Sequence, residues 1–164
     1  MLYIARSLSQ LDFSLLMAVY EEGNRENGEN LYPNLSEGQR LLQAEQDFYQ
    51  YLRHDFFVTP GAYYAIWQEK GEYVSALRME PYKDGVLLEG LETNPEYRRQ
   101  GFAEKLLRAA LPKEKKVYSH VDKGNAASLC IHEKCGFCRV LEHAVYIDGS
   151  VNGKCCTLCF ENGA

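Results

Sequence analysis

The sequence predicts a mixed α/β fold in which helices cover both faces of a central sheet. From Val58 onward, β-rich runs alternate with apolar stripes at helical spacing, and short Gly-bearing turns join neighbouring runs. Size agrees: 164 residues, 46% of them apolar and 25% charged, suffice for one core and leave little room for a second. A single domain over residues 1–164 follows. It reads as a strand plus two helices (1–58), a sheet and binding core (59–137) and a C-terminal hairpin (138–164).

Residues 2–5 read as the first strand. Ser9-Gln10-Leu11-Asp12 has a capping-box arrangement, and Leu11, Leu15, Leu16 and Val19 follow it at helical spacing. The Gly/Asn/Glu-rich stretch 22–34 breaks the pattern and reads as a mobile loop. Ser36-x-x-Gln39 is a second capping box, opening a helix through Leu41, Leu42, Phe48 and Leu52 that ends near His54. Strands follow at 63–68 and 73–79, separated by Lys70-Gly71-Glu72, and at 86–93. Pro95 ends the third of these, and residues 101–111 carry Phe102, Leu106, Leu107 and Ala110 on one stripe until Pro112. A strand at 116–121 and a helix at 125–135 come next, the helix closed by Gly136. Residues 139–147 and 154–160 are expected to pair as a hairpin through Asn152-Gly153.

Composition narrows function. No apolar run approaches the ~20 residues of a membrane span, and the N-terminus lacks a basic region followed by an apolar stretch and a cleavage site. The expectation is a cytoplasmic protein. A net charge of −5 argues against a general nucleic-acid binder. Acids gather in residues 21–50, where seven face only Arg25 and Arg40. Bases gather in residues 97–116, where seven face only Glu104 and Glu114. The basic stretch suits an anion and the acidic one a cation, unless both are simply solvated helix faces.

The chemistry is concentrated where a strand ends near Thr93 and the chain runs Asn94-Pro95-Glu96-Tyr97-Arg98-Arg99-Gln100-Gly101-Phe102-Ala103 into a helix. A helix start leaves backbone N–H groups unpaired and carries partial positive charge. Gly101 and Ala103 keep side-chain bulk away from it, and Arg98 and Arg99 add fixed charge, so a diphosphate fits there. Neither a Gly-x-Gly-x-x-Gly nor a Gly-x4-Gly-Lys-Ser/Thr phosphate loop is present.

Residues 98–103 resemble the Gln/Arg-x-x-Gly-x-Gly/Ala acyl-CoA motif of the GNAT acyltransferase superfamily, and Asn94-Pro95-Glu96-Tyr97 resembles the turn before it. Residues 125–137, an Asn followed by a helix and closed by Gly136-Phe137, resemble that family's second motif. The resemblance covers roughly residues 58–160. It implies a mostly antiparallel sheet whose fourth and fifth strands splay apart around acetyl-CoA. Leu91 and Thr93 would pair with the pantetheine arm, and the amides of Arg99, Gln100, Gly101, Phe102 and Ala103 would hold the diphosphate, with Arg98 at the motif's first position. Asn125 would cap the later helix and, with Ser128 and His132 on the same stripe, face the cofactor.

The implied reaction is direct transfer of an acetyl group from thioester to amine in a ternary complex, without a metal. An ammonium of pKa near ~10.4 must lose a proton before it attacks. The oxyanion needs a preorganised donor, for which the Leu91 amide stands. His132 occupies the position at which the family usually carries a tyrosine acid. An imidazolium there would protonate the departing thiolate. Candidate bases are Glu89, His120 and Glu92, and strand alternation sends Glu89 and Glu92 to opposite faces. The acidic helices would border the acceptor site and favour a cationic amine; the oligomeric state, monomer or homodimer, is open. Two other readings stand beside this one. The first is a non-catalytic acyl-CoA sensor. The second is a zinc module, because Cys135-x2-Cys138 and Cys156-x2-Cys159 have ligand-like spacing.

Overall fold

A computed structural model describes residues 1–163. The strands are β1 (Leu2–Ala5), β2 (Tyr63–Glu69), β3 (Glu72–Tyr82), β4 (Gly85–Thr93), β5 (Lys116–Asp122), β6 (Cys138–Leu141), β7 (Ala144–Val145), β8 (Val151–Asn152) and β9 (Cys155–Glu161). The helices are α1 (Phe13–Val19), α2 (Glu21–Leu31), α3 (Glu37–Tyr51), α4 (Phe102–Ala110) and α5 (Ala126–Lys134). Seven strands form one sheet in the order β1-β2-β3-β4-β5-β9-β6, antiparallel throughout except for the parallel β4–β5 pair.

The helices divide between two faces. The front core packs Leu16, Val19, Leu52 and Phe56 from the N-terminal helices and the turn after them against Tyr64, Ile66 and Ala76. The back core packs Leu106, Leu107 and Ala110 of α4, with Leu129 and Ile131 of α5, against Leu77, Leu88, Val117 and Leu158. The apolar spacing of α4 places its buried residues on one stripe. Truncating Leu107 there would cost about 2–5 kcal/mol.

The structure departs from the sequence reading in four places. The stretch read as a loop is helix α2, joined to α1 through Tyr20. Its glycines and asparagines disfavour an isolated helix, and packing on α3 overrides that: a Cβ on Gly28 would lie 2.7 Å from the Arg40 carbonyl oxygen, so only glycine permits the approach. The Arg40 guanidinium donates to the Tyr32 and Pro33 carbonyls and closes the connection. The first helix is capped by Asp12, which accepts from the Leu15 amide, and not by Ser9, which lies in a preceding short 3₁₀ turn. The Ser36–Gln39 capping box forms as expected.

At the C-terminus, β6 does pair with β9, but β9 lies between β5 and β6, and the short β7–β8 ribbon fills the connection. Finally, Glu89 and Glu92 share a face. Ala76 pairs with Glu92 and Arg78 with Glu89, so Leu77 alone stands opposite Gly90 and Leu91. This bulge resets the alternation. Gly90 supplies it, with φ +59, and a Cβ at Gly90 would lie 3.0 Å from the Arg78 guanidinium.

Candidate active site

The sheet opens between β4 and β5. These strands pair only over Val86, Leu87 and Leu88 against Val117, Tyr118 and Ser119, and from Glu89 onward that edge of β4 has no ladder partner among the described residues. Its backbone groups are therefore free to pair with an extended guest. A cleft of about 800 Å³ lies along the opening, lined by Leu91, Thr93, Arg98, Arg99, Gly101 and Ala103 among others. A smaller cleft of about 200 Å³ continues into the gap past Glu89, Ser119, His120 and His132, and the two share Leu91, Glu92, Asn125 and Ser128.

The mouth of the larger cleft is the start of α4. Asn94 is buried, and its side chain accepts from the Glu96 amide, setting the turn Pro95–Tyr97. Arg99 (φ +61) and Gly101 (φ +77) then reverse the chain. The helix has no side-chain cap, and its first backbone bond runs from the Lys105 amide to the Gly101 carbonyl. The amides of Phe102, Ala103 and Glu104 are thus without intrahelical partners, at the positive end of the helix. A Cβ built on Gly101 meets nothing within 4 Å, so the approach is open. Phe102 packs edge-on against Tyr97. Gln100 is exposed and does not line the cleft.

Arg98 reaches across the opening. Its two terminal nitrogens lie 2.8 and 2.7 Å from the carboxylate oxygens of Glu22 on α2. Glu22 lines the same cleft, and the bonds to Arg98 hold its carboxyl below the usual range. Sequence reasoning missed this contact because it placed Glu22 in a loop.

On the other side, Asn125 caps α5 by accepting from the Ser128 amide. His132, one turn on, is 1% exposed. Its Nε2 lies 2.9 Å from Ser119 Oγ and its Nδ1 2.7 Å from the Ser128 carbonyl. Burial pushes its pKa down, opposed in part by the Ser128 carbonyl. Burial thus favours the neutral imidazole of His132 over the imidazolium. Ser119 went unnoticed: a serine in a strand, thirteen residues away, carries no periodic signal.

The front face holds an acidic, tyrosine-rich cluster. Burial raises the pKa of Glu89, opposed by Arg78, and that of Glu92, opposed by Arg98. Glu80 on β3 is raised as well, by burial and then by Glu89. The Arg78 guanidinium stacks 5.3 Å from the Tyr51 ring centroid and donates to Tyr64 Oη. Tyr20 donates to the Gly90 carbonyl at 2.5 Å and so pins the bulge. Arg78 Nε and Glu89 Oε2 are buried without hydrogen-bond partners among the described residues. A lone arginine between Leu77 and Met79 was the signal that could have revealed this cluster.

Both ring nitrogens of His120 lie against polar partners. Its Nδ1 lies 2.9 Å from Thr157 Oγ1 and its Nε2 3.1 Å from the Val145 carbonyl, with Tyr82 and Tyr146 edge-on to the ring. Burial lowers its pKa. The zinc reading is overturned. β9 is unbroken, so Cys156 joins the back core while Cys159 joins Tyr82, Leu87 and Tyr118 on the opposite face. Among the described residues no three His, Cys, Asp or Glu side chains are grouped to hold a metal.

Solved structures share the fold. PaiA N-acetyltransferase from Thermoplasma acidophilum, in complex with coenzyme A, matches with a TM-score of 0.61 at 15% identity over 99% of both chains. A variant of spermidine N-acetyltransferase from Vibrio cholerae matches at 0.60 and 16%, over 98% of this chain and 94% of that one. The ribosomal-protein-S18-alanine N-acetyltransferase from Escherichia coli matches at 0.56 and 18%, again over 98% and 94%. No curated protein sequence matches. The family model described as Acetyltransferase (GNAT) family matches residues 27–137, and with that span, the splayed strands and the uncapped helix start, the chain belongs to the GNAT acetyltransferases.

Proposed function

We propose that this protein moves an acetyl group from acetyl-CoA to a cationic amine by direct attack within a ternary complex. The observation that carries the reading is the uncapped start of α4, placed at the mouth of a gap between two strands. The amides from Arg99 to Ala103 hold the diphosphate, with the Arg98 and Arg99 charges beside them. The free edge of β4 at Leu91 and Thr93 pairs with the pantetheine arm, and Asn125 and Ser128 close its other side. The thioester then lies in the narrower gap, where the Leu91 amide faces the developing oxyanion.

Glu89 is the base. It shares the front face with Glu80 and Glu92, its Oε2 has no hydrogen-bond partner among the described residues, and burial raises its proton affinity. His120, with both nitrogens engaged, is the weaker candidate. Acids on that face and on α2 surround the acceptor side, which favours an amine with further positive charge, a polyamine or a lysine-like side chain. The protein works in the cytoplasm on this reading.

The experiment is an acetyl-CoA turnover screen over diverse amines, with mass-spectrometric detection of the product, run beside Gly101→Val. A valine at Gly101 occupies the open approach and strains a backbone at φ +77. CoA binding is expected to fall at least ~100-fold, about two lost charge-assisted bonds, with the fold retained by circular dichroism. Full CoA affinity in that variant contradicts the placement of the diphosphate. A screen with bound CoA but no product on any amine favours a non-catalytic sensor instead.

A further inference from the structure

The gap between β4 and β5 ends at two polar side chains buried together. The last rung joining the strands is Leu88–Ser119, so Ser119 stands where they part. Ser119 is 2% exposed, and its Oγ lies 2.9 Å from His132 Nε2. The partner of the other ring nitrogen fixes the tautomer. A carbonyl oxygen only accepts, so His132 Nδ1, 2.7 Å from the Ser128 carbonyl, carries the ring proton. Nε2 is left with its lone pair, and the Ser119 hydroxyl is the donor between them. Phe137 lies edge-on to the imidazole at 4.9 Å and fixes its plane.

Burying a hydroxyl and an imidazole costs desolvation that two apolar side chains would avoid. His132 is the residue that α5 buries, with Leu129 and Ile131 partly buried beside it, and an apolar side chain could fill the same place without that cost. Both residues also line the smaller cleft, with Glu89 and Leu91.

We propose that Ser119 is a catalytic residue of the acyl transfer, its hydroxyl donating to the sulfur as the thioester breaks, and that His132 is the residue that positions it. The inference rests on the acetyl-CoA reading above and deepens it. In the step, the acceptor nitrogen bonds to the acyl carbon, the C–S bond breaks, and its electron pair passes to sulfur. The amine proton leaves through Glu89 on the front face. Ser119 keeps its own proton and turns it from the neutral Nε2 to the thiolate, which is the stronger acceptor because it is charged. No imidazolium is needed, in keeping with the burial that disfavours the charged form of His132.

The test uses the full chain with coenzyme A as probe. In Ser119→Ala, kcat with acetyl-CoA is expected to fall about 10- to 100-fold, the range of one hydrogen bond to a charged group. The affinity for desulfo-CoA, which lacks the sulfur, is expected to be unchanged. The thiol of bound CoA, titrated by its thiolate absorbance, is expected to ionise about one pH unit higher in this variant than in wild type. Ser119→Thr, which keeps a hydroxyl, should retain the wild-type titration, and His132→Phe should lower kcat by less than Ser119→Ala does.

An unchanged kcat in Ser119→Ala overturns the proposal. So does a reduced kcat with an unmoved thiol titration, because that pattern belongs to a merely structural serine. A wild-type protein that binds no CoA removes the acetyl-CoA reading and this step with it. Wild-type turnover that Ser119→Ala matches removes the Ser119 role alone.

Discussion

Arg78 and Glu89 face each other as register partners on β3 and β4, and each keeps one buried polar atom without a hydrogen-bond partner among the described residues. The pH dependence of the reaction reports on this pair. As the proposed base, Glu89 would act only when ionised, and burial raises its pKa while Arg78 opposes the rise. On the acid side, kcat/KM is therefore expected to fall through a pKa above the ordinary carboxylate value of about 4.3. Arg78→Gln removes the opposing cation, so that limb should move to higher pH. A limb that stays in place, or moves to lower pH, would mean that another group is the base. Residue identity was legible here where residue geometry was not. Glu89 stood out as a carboxylate on the strand before the phosphate loop, but the bulge that places it beside Glu92 depends on Gly90 and on what lies beneath, which no alternation rule contains.

At the scale of elements, α2 carries the clearest lesson. Its sequence, with Gly23, Asn24, Gly28 and Asn30, has weak helical propensity, and the helix exists because it can lie close against α3. Gly28→Val should therefore destabilise the protein by about 1–3 kcal/mol, read as a lowered thermal midpoint; an unchanged midpoint contradicts the close crossing. The same helix brings Glu22 to Arg98 across the cleft. A bound diphosphate competes with Glu22 for that guanidinium, so Glu22→Gln should tighten CoA binding about two- to fivefold by calorimetry. Weaker binding in this variant would show that Glu22 supports the site. Elements with strong local signals were read correctly from sequence: the four residues of β1, the capping box of α3 and the stripe of α4. Elements that exist through tertiary contact, α2 and the β7–β8 ribbon, were not.

Across the whole molecule, basic and acidic residues gather in separate stretches of the chain. On the proposed reading, the basic stretch that includes the start of α4 would meet the anionic end of CoA, and the acidic helices and front-face carboxylates would lie toward the acceptor side. Exposed charges lose reach as salt rises, with a screening length of about 8 Å at physiological ionic strength. The KM for a cationic acceptor should therefore rise with added salt, and more steeply than for a neutral amine. Equal salt dependence would place recognition in contacts other than charge. Order, motifs and fold class were legible because strand and helix periods set them. The β4–β5 opening was implied by family resemblance, and only the register shows where it begins, one residue past Leu88.

The central claim, that the start of α4 holds the diphosphate and aims the thioester into the β4–β5 gap, is tested most directly by a crystal structure with coenzyme A bound. The account predicts phosphate oxygens within hydrogen-bond distance of the Gly101, Phe102 and Ala103 amides, with the pantetheine arm lying along β4 at Leu91 and Thr93. Phosphates bound away from that helix start, or an arm lying outside the gap, would contradict it.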